Sequence, residues 1–454
     1  MKKNEIIKYI LNSSDKIKFN SKDIKKDDIF IALQGKKKHG NLFLNDSIIK
    51  GAKYCITDKK INLKEKKEKV IIVHDVFNFL KKICKEKLNS YNGKVIGITG
   101  SAGKTTLKET LSFFLKKKYK ISFSKKSYNN LLGLIISILN LDLNSKYAIF
   151  ELGTNNFGEI KKLVQLLKPS QVFVTNIQST HLESFKNKIN IAKEKSNIFN
   201  KIYNPNVKTL YLHNVTDEEK YIYKKAIKEK IKKIIQIQNK NIKKVKKINK
   251  NYKFKLFFKN KEYNITFNLD QDYRIKNLLF CIAFFSENKI PINIIMKNYK
   301  KVLPVLGRGK VHNLNINKNK IKLIDDSYNA NPDTMLQSIK YLNSIKSNVF
   351  LKILILGDMN ELGFLSNEFH KKVIKAIEQY KFNFVILSGK LMKRAISNYP
   401  KTNNKFVYKA NSKSILKYIK EKVDNKAIIL VKCSNSTEVN NFAKNIVKIY
   451  GGIN

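Results

Sequence analysis

The feature that most constrains the fold is a glycine-rich loop between a strand-like run and a helix-like run. KVIGIT (94–99) has the pattern of a buried strand, GSAGKTT (100–106) follows it, and LKETLSFFLKK continues with helical spacing. A phosphate-binding loop requires this order, because glycines let the backbone curl around phosphate oxygens and the helix start supplies free amide donors. The sequence therefore predicts nucleotide binding here, although Ile98 stands where the usual spacing has its first glycine.

The residues of this loop have separate roles around a triphosphate. We expect Lys104 to neutralise the β and γ phosphates and the Thr105 hydroxyl to ligate Mg²⁺. ATP contacts are expected from the whole segment: Thr99, Gly100, Ser101, Ala102, Gly103, Lys104, Thr105 and Thr106. An incidental glycine-rich turn is the weaker interpretation, because strand, loop, GKT and helix all coincide.

Strand-like runs alternate with helical segments along the chain and predict a three-domain α/β protein. The 454 residues suffice for several cores, because single cores rarely exceed about 250 to 300 residues. Such alternation implies parallel βαβ units and doubly wound sheets, which bind ligands beyond the carboxyl ends of their strands. The predicted domains are a small N-terminal α/β unit (1–88), a central P-loop domain with a parallel sheet (89–303) and a C-terminal Rossmann-like α/β domain (304–454).

The strand predictions depend on short apolar runs. They are DIFIAL (28–33) and KYCITD (53–58) in the first domain, and KVIGIT, YAIFELG (147–153) and QVFVTNI (171–177) in the second. In the third domain they are KLIDD (322–326), KILILGD (352–358), FVILSG (384–389) and AIILVKC (427–433). Between about 205 and 268 a charged helix precedes KFKLFFKNKEYNITFNL, which predicts a hairpin that turns at Asn260 and Lys261.

The formal net charge of +56 would ordinarily suggest a nucleic-acid or anionic-membrane partner. The lysines are spread over the whole sequence, however, and form no arm or stripe, so compositional drift explains them better and no nucleic-acid partner is expected. The longest apolar run, LLGLIISILNL from Leu131, is too short to span a bilayer, and the four cysteines have no metal or disulfide spacing. We expect a cytoplasmic monomer without stable membrane insertion.

Several further segments carry a resemblance to a known family. TGSAGKTT (99–106) resembles the ATP loop of the Mur ligases, which form amide bonds at the expense of ATP, and of the related folylpolyglutamate synthases. YNNLLG (128–133), ELGTNNFGEI (151–160) and TNIQSTHLESF (175–185) resemble segments of the Mur ligases that add D-alanyl-D-alanine. LIDDSYNANPDTM (323–335) and ILGDMNELG (355–363), with His370 after it, resemble signatures of the same branch. The resemblance covers all three predicted domains.

The resemblance implies a metal centre beside the phosphate loop. Glu151, at a strand end, would hold a second Mg²⁺, and His181 would be a ligand of that ion or a partner of one. Lys195 aligns with the lysine that the family carries as a carbamate, a modification that turns a repelling cation into an anionic ligand. Lys193 is the competing assignment, and Asn197 stands where the family usually has Glu.

The resemblance also implies binding residues. Asn277 would contact adenine, although Gln271 and Tyr273 replace the family's Gly and His. Arg308 would face the γ-phosphate, for which its planar charged fork is suited, and Asp326 would hold the ribose. The residues expected to contact the other substrates are Ser21 and Lys22 in the uridine-binding segment (19–40), Asn129 and Asn130, and, facing the dipeptide, Tyr328, Asn329 and Asn331.

The implied reaction joins D-alanyl-D-alanine to UDP-N-acetylmuramoyl-tripeptide, with ATP and Mg²⁺ as cofactors and Lys104, Arg308, His181 and Lys195 as the catalytic set. Near the C-terminus VKCSNSTE (431–438) stands where V-K-G-S-R is typical, so that Cys433 and Asn435 replace Gly and Arg. Loss of that Arg could alter how a substrate carboxylate is held. The alternatives are another ligase of the superfamily, such as a folylpolyglutamate synthase, and a catalytically silent homologue that serves as a binding protein.

Overall fold

The computed structural model describes residues 2–35, 38–60, 67–125, 127–248, 251–267, 272–345, 350–397, 405–424 and 426–451. These residues form four sheets, one in the first predicted domain, two in the second and one in the third. The predicted three-domain α/β fold class is confirmed. The boundaries at 88 and 303 remain predictions, and the first of them falls in the last turn of a helix that ends at Asn89.

The first sheet is parallel and small. Its elements are α1 (Lys2–Asn12), β1 (Ile17–Lys18), β2 (Ile29–Ile31), α2 (Leu44–Ile49), β3 (Tyr54–Thr57), β4 (Val70–Ile72) and α3 (Val76–Asn89), with strand order β1-β2-β3-β4. Helix α3 begins where the Asp75 side chain accepts a hydrogen bond from the Asn78 amide, the usual N-cap arrangement. It buries Val76, Leu80 and Ile83 at helical spacing, so this face joins the core.

The second sheet contains six parallel strands in the order β10-β9-β8-β5-β7-β6. Its strands are β5 (Lys94–Thr99), β6 (Ile121–Phe123), β7 (Tyr147–Glu151), β8 (Gln171–Val174), β9 (Thr209–His213) and β10 (Lys233–Ile237). Its helices are α4 (Lys104–Leu115), α5 (Leu131–Leu139), α6 (Glu159–Leu167), α7 (Leu182–Phe185), α8 (Lys188–Lys195), α9 (Asp217–Lys228), α10 (Asp272–Glu287) and α11 (Asn293–Asn298). This is the predicted parallel sheet with the phosphate loop at the end of β5.

Both faces of this sheet are covered, because successive strand residues point to opposite sides. In β7, Tyr147 and Ile149 pack with α4 and α10, whereas Ala148 and Phe150 pack with α5 and α6. A buried lysine at the end of α3 then ties the first unit to the second: Lys87 Nζ donates to the carbonyls of Ile10, Ser13 and Leu139.

An antiparallel three-stranded sheet, β11 (Ile242–Ile248), β12 (Asn251–Phe258) and β13 (Lys261–Phe267), follows β10. Phe254, Leu256 and Ile265 are buried in the core that includes α10. The hairpin turns at Lys259 and Asn260, both with positive φ, and therefore one residue earlier than predicted. A two-residue turn with positive φ at both positions matches the twist of the paired strands, which sets this register. Gln271 lies outside the described residues.

The last sheet has the order β14-β15-β19-β16-β17-β18, with only β14 antiparallel among its described strands. Its elements are β14 (Lys310–Ile316), β15 (Asn319–Asp326), α12 (Pro332–Ser344), β16 (Leu351–Leu356), α13 (Ser366–Glu378), β17 (Phe384–Leu387), α14 (Lys390–Ile396), β18 (Phe406–Tyr408), α15 (Ser412–Lys422), β19 (Ala427–Lys432) and α16 (Glu438–Tyr450). The register places Asp326 beside Lys432 at the carboxyl edge. In the part of the chain that the structure describes, no helix has both the length and the apolar character to cross a bilayer.

Candidate nucleotide and metal site

The phosphate loop connects β5 to α4 and is anchored by the neighbouring strand. Gly100 has φ of 140°, and a Cβ there would lie 1.9 Å from Thr175 Oγ1, so only glycine fits. The Ala102 amide donates to Asn176 Oδ1 at 2.9 Å, and Thr175 Oγ1 donates to the Ala102 carbonyl at 2.6 Å. These bonds fix the loop while the first amides of α4, which have no acceptor within the helix, remain available for an anion.

Lys104 lies over its own loop and close to a cation of the third unit. Its Nζ donates to the Gly100 carbonyl at 2.8 Å. Burial lowers the pKa of Lys104; the Glu151 carboxylate acts in the opposite direction, and the Arg308 guanidinium lowers the pKa further. Arg308 itself stacks on Tyr328, with Cζ 4.4 Å from the ring centre. The charge of Arg308 in the third unit thus acts on Lys104 in the central unit, and an anionic ligand would stabilise both cations.

Two of the predicted metal ligands are in direct contact. Thr105 Oγ1 donates to Glu151 Oε2 at 2.6 Å, and Asn129 Nδ2 donates to Oε1 at 3.0 Å. Glu151 is only 1% exposed at the end of β7. The predicted substrate residue Asn129 thus holds a carboxylate, and Asn130 caps α5 by accepting from the Gly133 amide.

Oxygen donors of this kind suit Mg²⁺, which usually takes few protein ligands together with substrate phosphates. Among the described residues, no group of three or more His, Cys, Asp and Glu side chains is assembled for a metal. The contact between Thr105 and Glu151 nevertheless fits an ion shared with a nucleotide, because the hydroxyl and the carboxylate present oxygens at one point beside the loop.

Lys195 is buried without a partner. Its side chain is 1% exposed, whereas Lys193 is exposed, and no hydrogen bond or ion pair reaches the Lys195 amine from the described residues. Burial and, secondarily, the Lys104 cation lower the pKa of Lys195 well below its ordinary value. The neighbouring Glu194 accepts from the amides of Gly158 and Ile160, which fixes α8 against the start of α6. An uncharged, nucleophilic amine is the form that this environment favours.

The segment 178–183 contacts the third unit at several points. His181 Nδ1 lies 2.5 Å from Glu361 Oε2, and the Glu183 amide donates to the Glu361 carbonyl at 3.1 Å. The Ser179 amide donates to Asp333 Oδ2 at 2.9 Å. The close contact with the His181 imidazole lowers the pKa of the Glu361 carboxyl. The central and third units are therefore docked at the predicted metal residue His181.

The nucleoside residues lie in two places. Asn277 is 6% exposed and helps to line a pocket together with Thr106, Leu278 and Pro304. Its Nδ2 is buried and has no hydrogen-bond partner among the residues that the structure describes. Asp326 is held through one oxygen: Lys432 Nζ and Ser338 Oγ both lie 2.8 Å from Oδ2. An orphaned amide that faces a pocket is the kind of group a purine would satisfy.

The remaining predicted residues have mixed surroundings. Asn331 caps α12 by accepting from the Thr334 amide, and its Nδ2 donates to Gln178 Oε1, so this side chain is already engaged. Asn329 is exposed next to Tyr328. Ser21 and Lys22 lie in a short 3-10 turn (Ser21–Asp23) of the first unit. Their substrate roles remain predictions.

Three engaged residues were not predicted: Glu361, Gln178 and Lys432. Lys432 is 4% exposed and directly follows the apolar run AIILV. A charged residue at the end of a buried strand is therefore the sequence feature that could have indicated it. Glu361 and Gln178 belong to segments that the resemblance marked, but no local pattern shows that they meet residues more than 150 positions away, as Gln178 does with Asn331.

Comparison with known proteins gives a consistent result. Residues 98–285 match the family model described as Mur ligase middle domain, and residues 307–435 match Mur ligase, glutamate ligase domain. The chain is 30% identical over 439 residues to the UDP-N-acetylmuramoyl-tripeptide--D-alanyl-D-alanine ligase of Rickettsia prowazekii, covering 94% of this chain and 93% of the relative. It is 32% identical to the ligase of that name in Buchnera aphidicola subsp. Baizongia pistaciae, covering 93% and 90%. The fold is similar to the crystal structure of the MurF ligase of Thermotoga maritima in complex with ADP, with a TM-score of 0.79, 21% identity and coverage of 97% and 98%.

Proposed function

Because this chain belongs to the Mur ligase family, in its branch of UDP-N-acetylmuramoyl-tripeptide--D-alanyl-D-alanine ligases, we propose that its phosphate loop and third unit together carry out that ligation. The protein is an ATP-dependent ligase that adds D-alanyl-D-alanine to UDP-N-acetylmuramoyl-tripeptide and yields the pentapeptide precursor of peptidoglycan. The observation that carries the assignment of the site is the docking of the third unit beside the phosphate loop. The Ser179 amide donates to Asp333 Oδ2 and Asn331 Nδ2 donates to Gln178 Oε1, while the Gln178 amide donates to Ser101 Oγ of the loop.

The chemistry proceeds in two transfers. A tripeptide carboxylate oxygen attacks the γ-phosphorus of ATP, the bond from that phosphorus to the bridging oxygen breaks, and ADP leaves. The amine of D-alanyl-D-alanine then attacks the acyl carbon, the carbon–oxygen bond to phosphate breaks, and the amine loses a proton as the amide forms. Phosphoryl transfer asks a protein mainly for positioning and charge neutralisation, which Lys104 and Arg308 supply.

Thr105 and Glu151, which share a hydrogen bond, are residues that we assign to Mg²⁺, and we assign His181 to the same ion on the family resemblance. When bound, Mg²⁺ neutralises phosphate charge and orients the γ-phosphate. Lys104 then exchanges its bonds with the Gly100 and Ser101 carbonyls for phosphate oxygens. We also assign the adenine contact to Asn277 and the ribose contact to Asp326, whose Oδ2 is held by Lys432 and Ser338.

Lys195, rather than Lys193, is the residue we propose to be carbamylated. Its buried amine has a lowered pKa, and the neutral amine nitrogen can attack the carbon of CO₂, form a nitrogen–carbon bond and release a proton. The product is an anion next to the cationic Lys104. Lys193 is exposed and does not share this buried environment.

The docked third unit would protect the acyl phosphate intermediate from water. An acyl phosphate hydrolyses if water reaches it, and closure of a domain over the nucleotide excludes water. Contacts from Ser179 to Asp333 and from Gln178 to Asn331 hold the two units together beside the loop. We place the reaction in the cytoplasm, where ATP is available.

A phosphate-release assay tests this proposal. Purified protein with Mg²⁺, ATP and UDP-N-acetylmuramoyl-tripeptide should release phosphate only after D-alanyl-D-alanine is added. Lys104→Ala should abolish the release, and Lys117→Ala, at an exposed position two residues after the end of α4, is the matched control. Release driven by folate and glutamate would reject the dipeptide specificity, and no release with any substrate pair would favour the silent-homologue alternative, which Asn435 had raised.

A further inference from the structure

Glu361 makes a contact that the ligase mechanism does not use. Its carboxylate extends from the loop after β16 and meets the imidazole of His181 in the central unit, with 2.5 Å between Oε2 and Nδ1. The backbones meet as well, because the Glu183 amide donates to the Glu361 carbonyl at 3.1 Å. A side-chain contact reinforced by a backbone hydrogen bond across two units defines a specific docked position.

The loop that presents Glu361 is fixed on both sides. The Met359 amide donates to His370 Nε2, and the Asn360 amide donates to Ser434 Oγ, each at 3.0 Å. Gly363, at φ 60°, packs so closely that an added Cβ would lie 3.0 Å from Glu183 Cα. The Glu361 carboxylate therefore reaches His181 from a rigid support.

Both residues of the contact adopt an unfavourable backbone conformation. Glu361 has φ of 64° and His181 has φ of 52°, in the left-handed region that costs a non-glycine residue about 1–2 kcal/mol. Such strain persists where surrounding structure determines it, and it concentrates at functional sites. In His181 the conformation is held by its carbonyl, which accepts from the Ser184 and Phe185 amides.

We propose that Glu361 is a positioning residue for His181. Because Glu361 belongs to the third unit and His181 to the central unit, the metal site is complete only when the third unit is docked. The inference rests on the proposed function, which assigns His181 to the metal. An imidazole that ligates a metal through one nitrogen usually donates its other N–H to a carboxylate, which fixes the tautomer and increases ligand basicity. Glu361 lies at Nδ1, so Nε2 is the nitrogen that would ligate the ion. Docking of the third unit and metal binding thereby favour each other.

The test measures metal binding separately from turnover. Mn²⁺ replaces Mg²⁺ as a paramagnetic probe, and free Mn²⁺ is counted by electron paramagnetic resonance in the presence of adenosine 5′-(β,γ-imido)triphosphate. Glu361→Ala should weaken Mn²⁺ binding about tenfold, the lower range for loss of a carboxylate behind a metal-bound histidine. Glu361→Gln, which keeps an acceptor for the imidazole N–H, should recover part of the affinity. Glu368→Ala, at an exposed position of α13 where Glu368 forms an ion pair with Lys372, is the control and should bind as the parent does.

A double-mutant cycle with His181→Ala decides whether the two residues act as one. If Glu361 acts through His181, adding Glu361→Ala to His181→Ala causes no further loss of Mn²⁺ affinity or of kcat. Unchanged Mn²⁺ affinity in folded Glu361→Ala, or additive losses in the double variant, overturns the proposal. If instead the parent protein binds Mn²⁺ with the nucleotide but releases no phosphate with its two substrates, the ligase assignment fails, while the Mn²⁺ comparison still decides the role of Glu361.

Discussion

Two regions of this molecule each bury a lysine, and the surroundings of the two ammonium groups are opposite. At the joint between the first and central units, Lys87 is fully buried and donates to three carbonyls, those of Ile10, Ser13 and Leu139. At the nucleotide end Lys195 is 1% exposed, has no partner among the described residues and lies near Lys104. Burial lowers both pKa values, that of Lys87 to about 8.

The two lysines differ in whether the ammonium group donates hydrogen bonds to protein acceptors. This difference, rather than the residue type, distinguishes a structural lysine from a functional one. A buried donor with all its hydrogen bonds made stabilises the fold, because removing it leaves its acceptors unsatisfied. A buried polar group without a protein partner costs free energy in the folded chain, and it persists where a ligand or a modification completes it. Lys87 belongs to the first kind, and we propose that Lys195 belongs to the second.

The largest expected effect comes from Lys195→Met. Loss of the anionic ligand should lower kcat by about 10²–10³-fold, the scale for removing one electrostatic stabiliser of a transition state. The free energy of unfolding should fall by less than about 1 kcal/mol, since an apolar side chain of similar size replaces an unpartnered amine. Phosphate release and urea denaturation followed by circular dichroism measure the two quantities, as the chain has no Trp for fluorescence.

Lys193→Met is the matched control for this change, because Lys193 is exposed two residues earlier. It should leave kcat within about twofold, the range of a neutral surface substitution. A large loss of kcat in Lys193→Met with little loss of kcat in Lys195→Met would assign the carbamate to Lys193 instead. Lys195 would then no longer serve as the functional counterpart of Lys87.

Lys87→Met should give the opposite pattern. Three carbonyls lose their donor at a buried joint, so the free energy of unfolding should fall by about 2–3 kcal/mol, while kcat of the folded protein stays within about twofold. The same denaturation and release assays apply. Lys85→Met, exposed on the same helix, should change neither value. If Lys87→Met left stability intact, full use of donors would no longer identify a structural lysine.

Two buried asparagines extend the comparison with smaller effects. Asn277 Nδ2 has no hydrogen-bond partner in the described part of the chain, whereas Asn204 Nδ2 donates to the carbonyls of Pro169 and Ile198. Asn277→Ala should raise the KM for ATP about five- to tenfold, equivalent to about 1 kcal/mol, with little change in stability. Asn204→Ala should lower stability by a similar free energy and leave that KM unchanged. An unaltered KM in Asn277→Ala, measured at saturating concentrations of the other substrates, would exclude it from the nucleotide pocket.

How far the sequence predicts these features depends on their range along the chain. The phosphate loop was predictable because β5, GSAGKTT and α4 are contiguous, and Lys104 and Thr105 follow from that order. Strands β15, β16, β17 and β19 of the third sheet were predictable because each contains an apolar run bounded by polar residues, whereas β14 (KVHNLNI) and the three-residue β18 were not. Strand β11, with the sequence IKKVKKI, was not, since its lysines hide the alternation that marks a strand.

The sequence did not predict which side chains contact each other. Asn129 and Asn130 are adjacent and look alike, yet one holds Glu151 and the other caps α5. Whether Lys87 or Lys195 has acceptors depends on helix ends that lie far away in sequence, such as Leu139. The contact between His181 and Glu361 depends on how two units dock, which no local pattern records.

The smallest effect concerns a third buried base, His370, and tests whether full use of donors and acceptors marks a structural role outside lysine. His370 Nε2 accepts from the Met359 amide, and Nδ1 lies 2.6 Å from the Ser366 carbonyl, so the neutral ring with a proton on Nδ1 satisfies both. Burial lowers the pKa of His370 below its ordinary value near 6.5. The unfolded chain therefore takes up a proton at a higher pH than the folded chain does.

It follows that His370 contributes its full stabilisation above about pH 6.5 and loses it as the pH falls from there through the folded pKa. A single group changes stability by at most about 1.4 kcal/mol per pH unit. The free energy of unfolding of the parent should thus fall faster between pH 7 and 5 than that of His370→Gln, which cannot titrate. His39→Gln, at a histidine paired with Asp58 on the surface, is the control. Equal pH dependence of the free energy of unfolding in the parent and in His370→Gln would contradict this prediction. It would show that His370 does not stabilise the loop that carries Glu361, although both of its ring nitrogens have hydrogen-bond partners.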